Sequence, residues 1–130
     1  MARVVHFEVH AEDPQRAIAF YETALGWTFS EHVPGEYWLI NTGVDTEAGI
    51  NGGLIRRKGP GPAPDAKLPV TAYVCTVQVK SLDTYLKAVA NAGGTVVVPR
   101  HAVPGVGWSA YARDTEGNIF GLHQPDREAA

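Results

Sequence analysis

The sequence predicts an α+β protein made of two βαβββ modules. Three observations carry the repeated order. Short alternating stretches rich in β-branched residues recur along the chain. Two stretches with helical apolar spacing each follow a capping residue, Asp13 and Ser81, and these caps lie 68 residues apart. A Pro/Gly-rich stretch over 58–69 separates the two halves. The expected organisation is a first module over 1–57, a linker over 58–69 and a second module over 70–130, together one domain.

The first strand is expected over 4–10, Val-Val-His-Phe-Glu-Val-His. Strand alternation puts His6, Glu8 and His10 on one face and Val5, Phe7 and Val9 on the other. Asp13-Pro14 reads as a helix start, because the carboxylate caps backbone N–H groups and proline has none to satisfy at the first helical position. Ala17, Phe20, Tyr21, Ala24 and Leu25 form the expected buried stripe, and Gly26 suits the left-handed residue that closes the helix. Strands are expected over 27–33, 37–42 and 50–57, with Pro34-Gly35 as a turn and Gly52-Gly53 as a bulge or close approach.

The second half repeats this order. A strand is expected over 71–79, then a helix over 82–92 with Leu82, Tyr85, Leu86 and Val89 inward and Gly93-Gly94 at its end. Strands over 95–102, 108–113 and 119–123 follow, with Gly117 as the positive-φ residue of the turn over 114–118.

Length and composition set the class. The chain has 130 residues and 45% hydrophobic content, enough for a core in one small domain. A formal charge of −3, with only Arg56-Arg57-Lys58 as a basic run, gives no footprint for nucleic acid. No apolar run approaches a membrane span, no signal peptide opens the chain, and the single Cys75 excludes an internal disulfide. A cytoplasmic protein is expected, with no membrane or nucleic-acid partner.

Two stretches carry a resemblance. Val5-His6-Phe7-Glu8, then Asp13-Pro14, then residues 19–27 (Ala-Phe-Tyr-Glu-Thr-Ala-Leu-Gly-Trp) resemble the opening strand and helix end of the vicinal-oxygen-chelate superfamily, which includes glyoxalases, bleomycin resistance proteins and dioxygenases. Gly105-Val106-Gly107-Trp108, with residues 114–121 (Asp-Thr-Glu-Gly-Asn-Ile-Phe-Gly), is similar to its closing hairpin. The run Asn51-Gly52-Gly53-Leu54 is similar to a glyoxalase-like branch without an agreed substrate. The resemblance implies paired βαβββ modules with curved mixed sheets enclosing a cleft, a homodimer, and in the enzymes a divalent ion held by residues of the first and last strands of each module.

Carried over residue by residue, that implied metal site is incomplete. His6 falls at the first-strand ligand position, but Val74 and Gly121 fall at two others, and 50–55 contains no His, Asp or Glu. A hard divalent ion needs several converging N or O donors. No cofactor is therefore expected, and a divalent metal only on a different set, His6, Glu8 and His123. The main expectation is a small apolar or aromatic ligand bound by His6, Glu8, Trp38, Trp108, Gly121 and His123. The alternative is a lyase, isomerase or thiol transferase using that different metal set. The strand aromatics Trp27, Tyr37, Trp38, Trp108 and Tyr111 are divided by alternation between core and cleft. Removal of side chains at Gly53 and Gly121 predicts an open pocket floor. Cys75 is expected to be a buried thiol, and Ser109 and Thr42 have no base partner visible in the sequence.

Overall fold

The computed structural model describes residues 2–61, 72–113, 115 and 118–130. The expected linker is outside the described residues from 62 onward, and so is Gly117. The chain divides into two compact units, one of His6–Tyr73 and one of Val74–Ala130 with the first residues up to Val5. Each contains one βαβββ module, as the doubled cap and glycine pattern predicted, and the fold class is α+β. Among the described residues no helix is long and apolar enough to cross a membrane.

In the first module the elements are β1 (Arg3–Ala11), α1 (Pro14–Leu25), β2 (Thr28–Val33), β3 (Tyr37–Asn41) and β4 (Gly52–Arg56). The strand order is β2-β3-β4-β1, with β1 parallel to β4 and the other pairs antiparallel. Asp13 caps α1 by accepting a hydrogen bond from the Arg16 backbone N–H at 3.2 Å, and Pro14 occupies the first turn. Gly26 ends the helix at φ 73°, where a side chain would be strained.

Phe7, Val9, Ala11, Ile18, Trp38, Ile40 and Leu54 form the core of this module, with Ala17 and Tyr21 packed against it. The buried stripe of α1 therefore runs Pro14, Ala17, Ile18 and Tyr21. This corrects the expected stripe: Phe20 is 61% exposed and Leu25 55%. At 100° per residue, Ile18 and Tyr21 center the inward face and leave Phe20 well off it, whereas Leu25 shares that face but is the last residue of α1.

In the second module β5 (Val74–Gln78) precedes α2 (Leu82–Asn91), β6 (Thr95–Val103), β7 (Gly107–Arg113) and β8 (Ile119–Pro125). Here the order is β6-β7-β8-β5, with β5 parallel to β8. Ser81 caps α2 by accepting from the Thr84 N–H at 3.3 Å. The expected stripe is the observed one: Leu82 is fully buried, and Tyr85, Leu86 and Val89 pack on Val79, Ala110, Ala112 and Leu122. Cys75 is exposed, not buried as expected. The core against α2 takes Val77 and Val79 from this segment, and its apolar cover ends before Cys75 is reached.

Candidate functional site

Alternation along β1 fixes the first half of the site. Phe7, Val9 and Ala11 point into the core with α1, so His6, Glu8 and His10 point from the opposite, open face of the sheet. Glu8 is only 7% exposed there. Its carboxylate lies 3.7 Å from His10 Nε2, too long for a hydrogen bond but close enough for charge to act.

The next strand contributes an absence. Glu8 pairs across the sheet with Gly53 of β4, which in turn pairs with Leu39 of β3. Gly53 leaves room that the ring of Tyr37 takes, and a Cβ added at Gly53 would collide with the Tyr37 hydroxyl. Crossing β4 in this way, the hydroxyl reaches 3.3 Å from His6 Nε2. The expectation of an open floor at this glycine is corrected: the space exists and an aromatic ring fills it.

The protonation states follow from the surroundings. Burial holds the His6 imidazole below its usual value of 6.5, and the Glu8 charge opposes this only in part. Burial, with the Glu8 charge second, pushes the Tyr37 phenol up to about 12. At neutral pH the phenol therefore keeps its proton and the imidazole is neutral, and the His6 tautomer sets which of the two donates. Because the His6 pKa is lowered on folding, the stability it contributes is full above 6.5, and is lost as pH falls through 6.5 and then the folded-state value. Urea midpoints measured between pH 8 and pH 5 are expected to fall on the acid side, and less steeply in His6→Gln. An unchanged acid limb in that variant would contradict the assignment.

The second module repeats the device with other residues. Thr76 of β5 pairs with Gly121 of β8, and Gly121 with Tyr111 of β7. A Cβ on Gly121 would lie 3.0 Å from Thr76 Oγ1 and 3.3 Å from the Tyr111 ring. One pleat on, His123 pairs with Ser109, and the Ser109 hydroxyl lies 2.9 Å from His123 Nδ1. Ser109 was expected to lack a base partner, and the cross-strand register supplies one.

Two of the expected ligand-binding residues are on the wrong face for this role. Trp38 is 4% exposed and belongs to the core, because β3 alternation points Trp38 and Ile40 at α1 and Tyr37 and Leu39 away from it. The signal was in the sequence, since polar Asn41 shares the face of Tyr37. Trp108 packs on the α2 core with Ala110 and Ala112, donates its indole N–H to Asp126 at 3.0 Å and lies under the Arg100 guanidinium at 4.4 Å. The Glu128 backbone N–H and then the indole, with a smaller contribution from the Arg100 charge, hold the Asp126 carboxyl below its usual range. Trp108 is thus part of a structural anchor for the C-terminal segment. His6, Glu8, Gly121 and His123 do occupy the open faces of their own modules.

The residues do not fit the ion implied by the resemblance. Val74 and Gly121 offer no side-chain donor, β4 contributes Gly52-Gly53-Leu54-Ile55-Arg56, and His6 Nε2 is engaged by Tyr37. Among the described residues no group of three or more His, Cys, Asp or Glu is placed to hold a metal.

Comparison with known proteins gives a family-model match over part of the chain and a shared fold. Residues 3–43 match the model of the bleomycin resistance protein-like N-terminal family. No curated protein matches the chain. Methylmalonyl-CoA epimerase from Mycobacterium tuberculosis aligns at 15% identity and TM-score 0.63, over 95% of this chain and 87% of its own. A glyoxalase/bleomycin resistance protein/dioxygenase superfamily member from Vibrio splendidus 12B01 aligns at 15% and 0.62, over 97% of this chain and 100% of its own. The Mn(II)-bound glyoxalase from Novosphingobium aromaticivorans aligns at 16% and 0.63, over 100% of this chain and 42% of its own. Identities this low speak to fold and not to activity. The chain shares the fold of a glyoxalase/bleomycin resistance protein/dioxygenase superfamily member, and its residues 3–43 match the bleomycin resistance protein-like N-terminal model.

Proposed function

We propose that this protein binds a small apolar or aromatic molecule on the open sheet face that carries His6, Glu8 and Tyr37, without a metal at the superfamily's usual position. The carrying observation is the seating of the Tyr37 ring over Gly53 with its hydroxyl on His6 Nε2. That arrangement supplies an aromatic surface beside a nearly buried carboxylate, which is the mix of apolar wall and few polar anchors expected of a selective site. It also commits His6 to a hydrogen bond in place of metal ligation. The match of residues 3–43 to the bleomycin resistance-like model supports a binding role over a catalytic one.

The same reading includes a homodimer. β2 and β6 end the strand order of their sheets, and β6 exposes Val96, Val97 and Val98. Uncovered edge strands of this kind are ordinarily paired or shielded.

Thermal-shift screening of the full chain against aromatic and apolar metabolites and drugs, with and without divalent ions, tests the proposal. A saturable hit that needs no metal is expected, and Glu8→Ala is expected to weaken it by ~1–3 kcal/mol, the cost of an unmade buried hydrogen bond. Sedimentation of the same sample at micromolar concentration is expected to give a dimer. One tightly held transition metal per chain, lost in His6→Ala, would replace the binding reading with the enzyme reading.

A further inference from the structure

We propose that Ser109 and His123 form a nucleophile–base pair on the open face of the second module, and that Ser109 accepts an acyl or phosphonyl group from an activated ester or its analogue. Three features of the second module carry this, and none involves the ligand site proposed on the first.

The distance comes first. Ser109 Oγ and His123 Nδ1 are 2.9 Å apart, within the range needed for proton transfer as the oxygen attacks. Because the two residues are directly paired across antiparallel β7 and β8, this geometry is set by the backbone ladder and not by two wandering side chains.

The base is also seated. Gly107 of β7 is buried, and a Cβ added there would collide with the Gln124 backbone carbonyl and would lie 2.8 Å from His123 Cε1 and 2.9 Å from Nε2. The Cε1–Nε2 edge of the imidazole thus borders the glycine, and Nδ1 lies on Ser109. A positioned base is what separates an activated serine from an ordinary one. Gly107 belongs to the Gly105–Trp108 stretch, and the Gln124 carbonyl together with this ring explains the glycine.

Both partners are half-buried, so each is reachable while its hydrogen bond is partly shielded from water. Exposed His101 pairs with Ser109 from β6, so a second imidazole borders the nucleophile.

The chemistry balances without a co-reactant. With an ester, Oγ attacks the carbonyl carbon and its proton passes to His123 Nδ1. The bond to the leaving oxygen then breaks, that oxygen keeps the electron pair and takes the proton from His123, and the acyl group stays on Ser109. Water repeats the sequence to release the acid. With a fluorophosphonate the P–F bond breaks, fluoride departs with the electron pair, and the proton remains on His123.

The test uses the full chain and an alkyl fluorophosphonate, with p-nitrophenyl acetate as a second probe. Intact mass spectrometry is expected to show one adduct per chain, and peptide mapping to place it on Ser109. Ser109→Ala should remove the adduct. His123→Gln should slow labelling about 100-fold or more, the range of a lost general base. Thermal melts should confirm that each variant is folded. No adduct on Ser109 in the folded wild-type chain would overturn the proposal. So would a labelling rate unchanged by His123→Gln, or equal to that of the urea-unfolded chain.

Discussion

Replacing Trp38 with alanine is expected to destabilise the protein by about 3–5 kcal/mol, the range for truncating a buried aromatic. The side chain is 4% exposed and sits among Ile40, Leu54, Val9 and Ile18, so its removal leaves a cavity under α1 that rigid strand pairing cannot close. Trp38 pairs with Glu31 of β2 and Leu54 of β4, and Leu54 is fully buried. Urea denaturation monitored by far-UV circular dichroism measures the loss. Tyr37→Phe is the informative contrast. It removes one hydroxyl from the open face and no core contact, so its cost should stay near 1 kcal/mol, that of one hydrogen bond. If Trp38→Ala were as mild as Tyr37→Phe, the assignment of faces along β3 would be reversed.

The adjacent glycines of β4 should respond very differently to the same small substitution. A Cβ on Gly52 would lie 2.5 Å from the Phe7 carbonyl oxygen and 2.8 Å from its ring. The oxygen belongs to the backbone of the neighbouring strand and the ring to the core, so β4 and β1 must part. Gly52→Ala is expected to cost about 1–3 kcal/mol, the usual penalty for overpacking. A Cβ on Gly53 meets only the end of the Tyr37 side chain, which can swing away. Gly53→Ala should therefore cost about 1 kcal/mol, the hydrogen bond to His6. A double-mutant cycle separates the causes. With Tyr37 already truncated to alanine, Gly53→Ala should cost nothing and Gly52→Ala should cost as much as before. A full Gly53 penalty in the Tyr37→Ala background would show that Tyr37 does not occupy that space.

The two glycines also bear on ligand specificity. Where a β4 side chain would define the surface beside Glu8, this protein sends a ring across from β3. Gly53→Ala and Tyr37→Phe therefore perturb the same contact from opposite sides.

The sequence alone determined the element order, the two caps and the alternation that groups His6, Glu8 and His10. These are local properties. A cap needs only a side chain and the next turn of backbone, a positive φ at Gly26, Gly35 or Gly105 needs only the missing Cβ, and the face of a strand residue needs only a period of two. Even the correction at Trp38 was locally available, since Asn41 marks the polar face of β3. What the tertiary structure decided is which residues meet across strands. The Tyr37 hydroxyl and His6 are 31 residues apart and separated by β4, and they meet because Gly53 sits in register between them. A one-residue slip in that register would place Leu54 there and close the gap. Ser109 and His123 stood in the sequence as an isolated hydroxyl and a strand-end histidine, and the β7–β8 ladder made them partners. Register depends on the sum of many weak cross-strand contacts and on the turn that joins the strands, so no single local pattern encodes it.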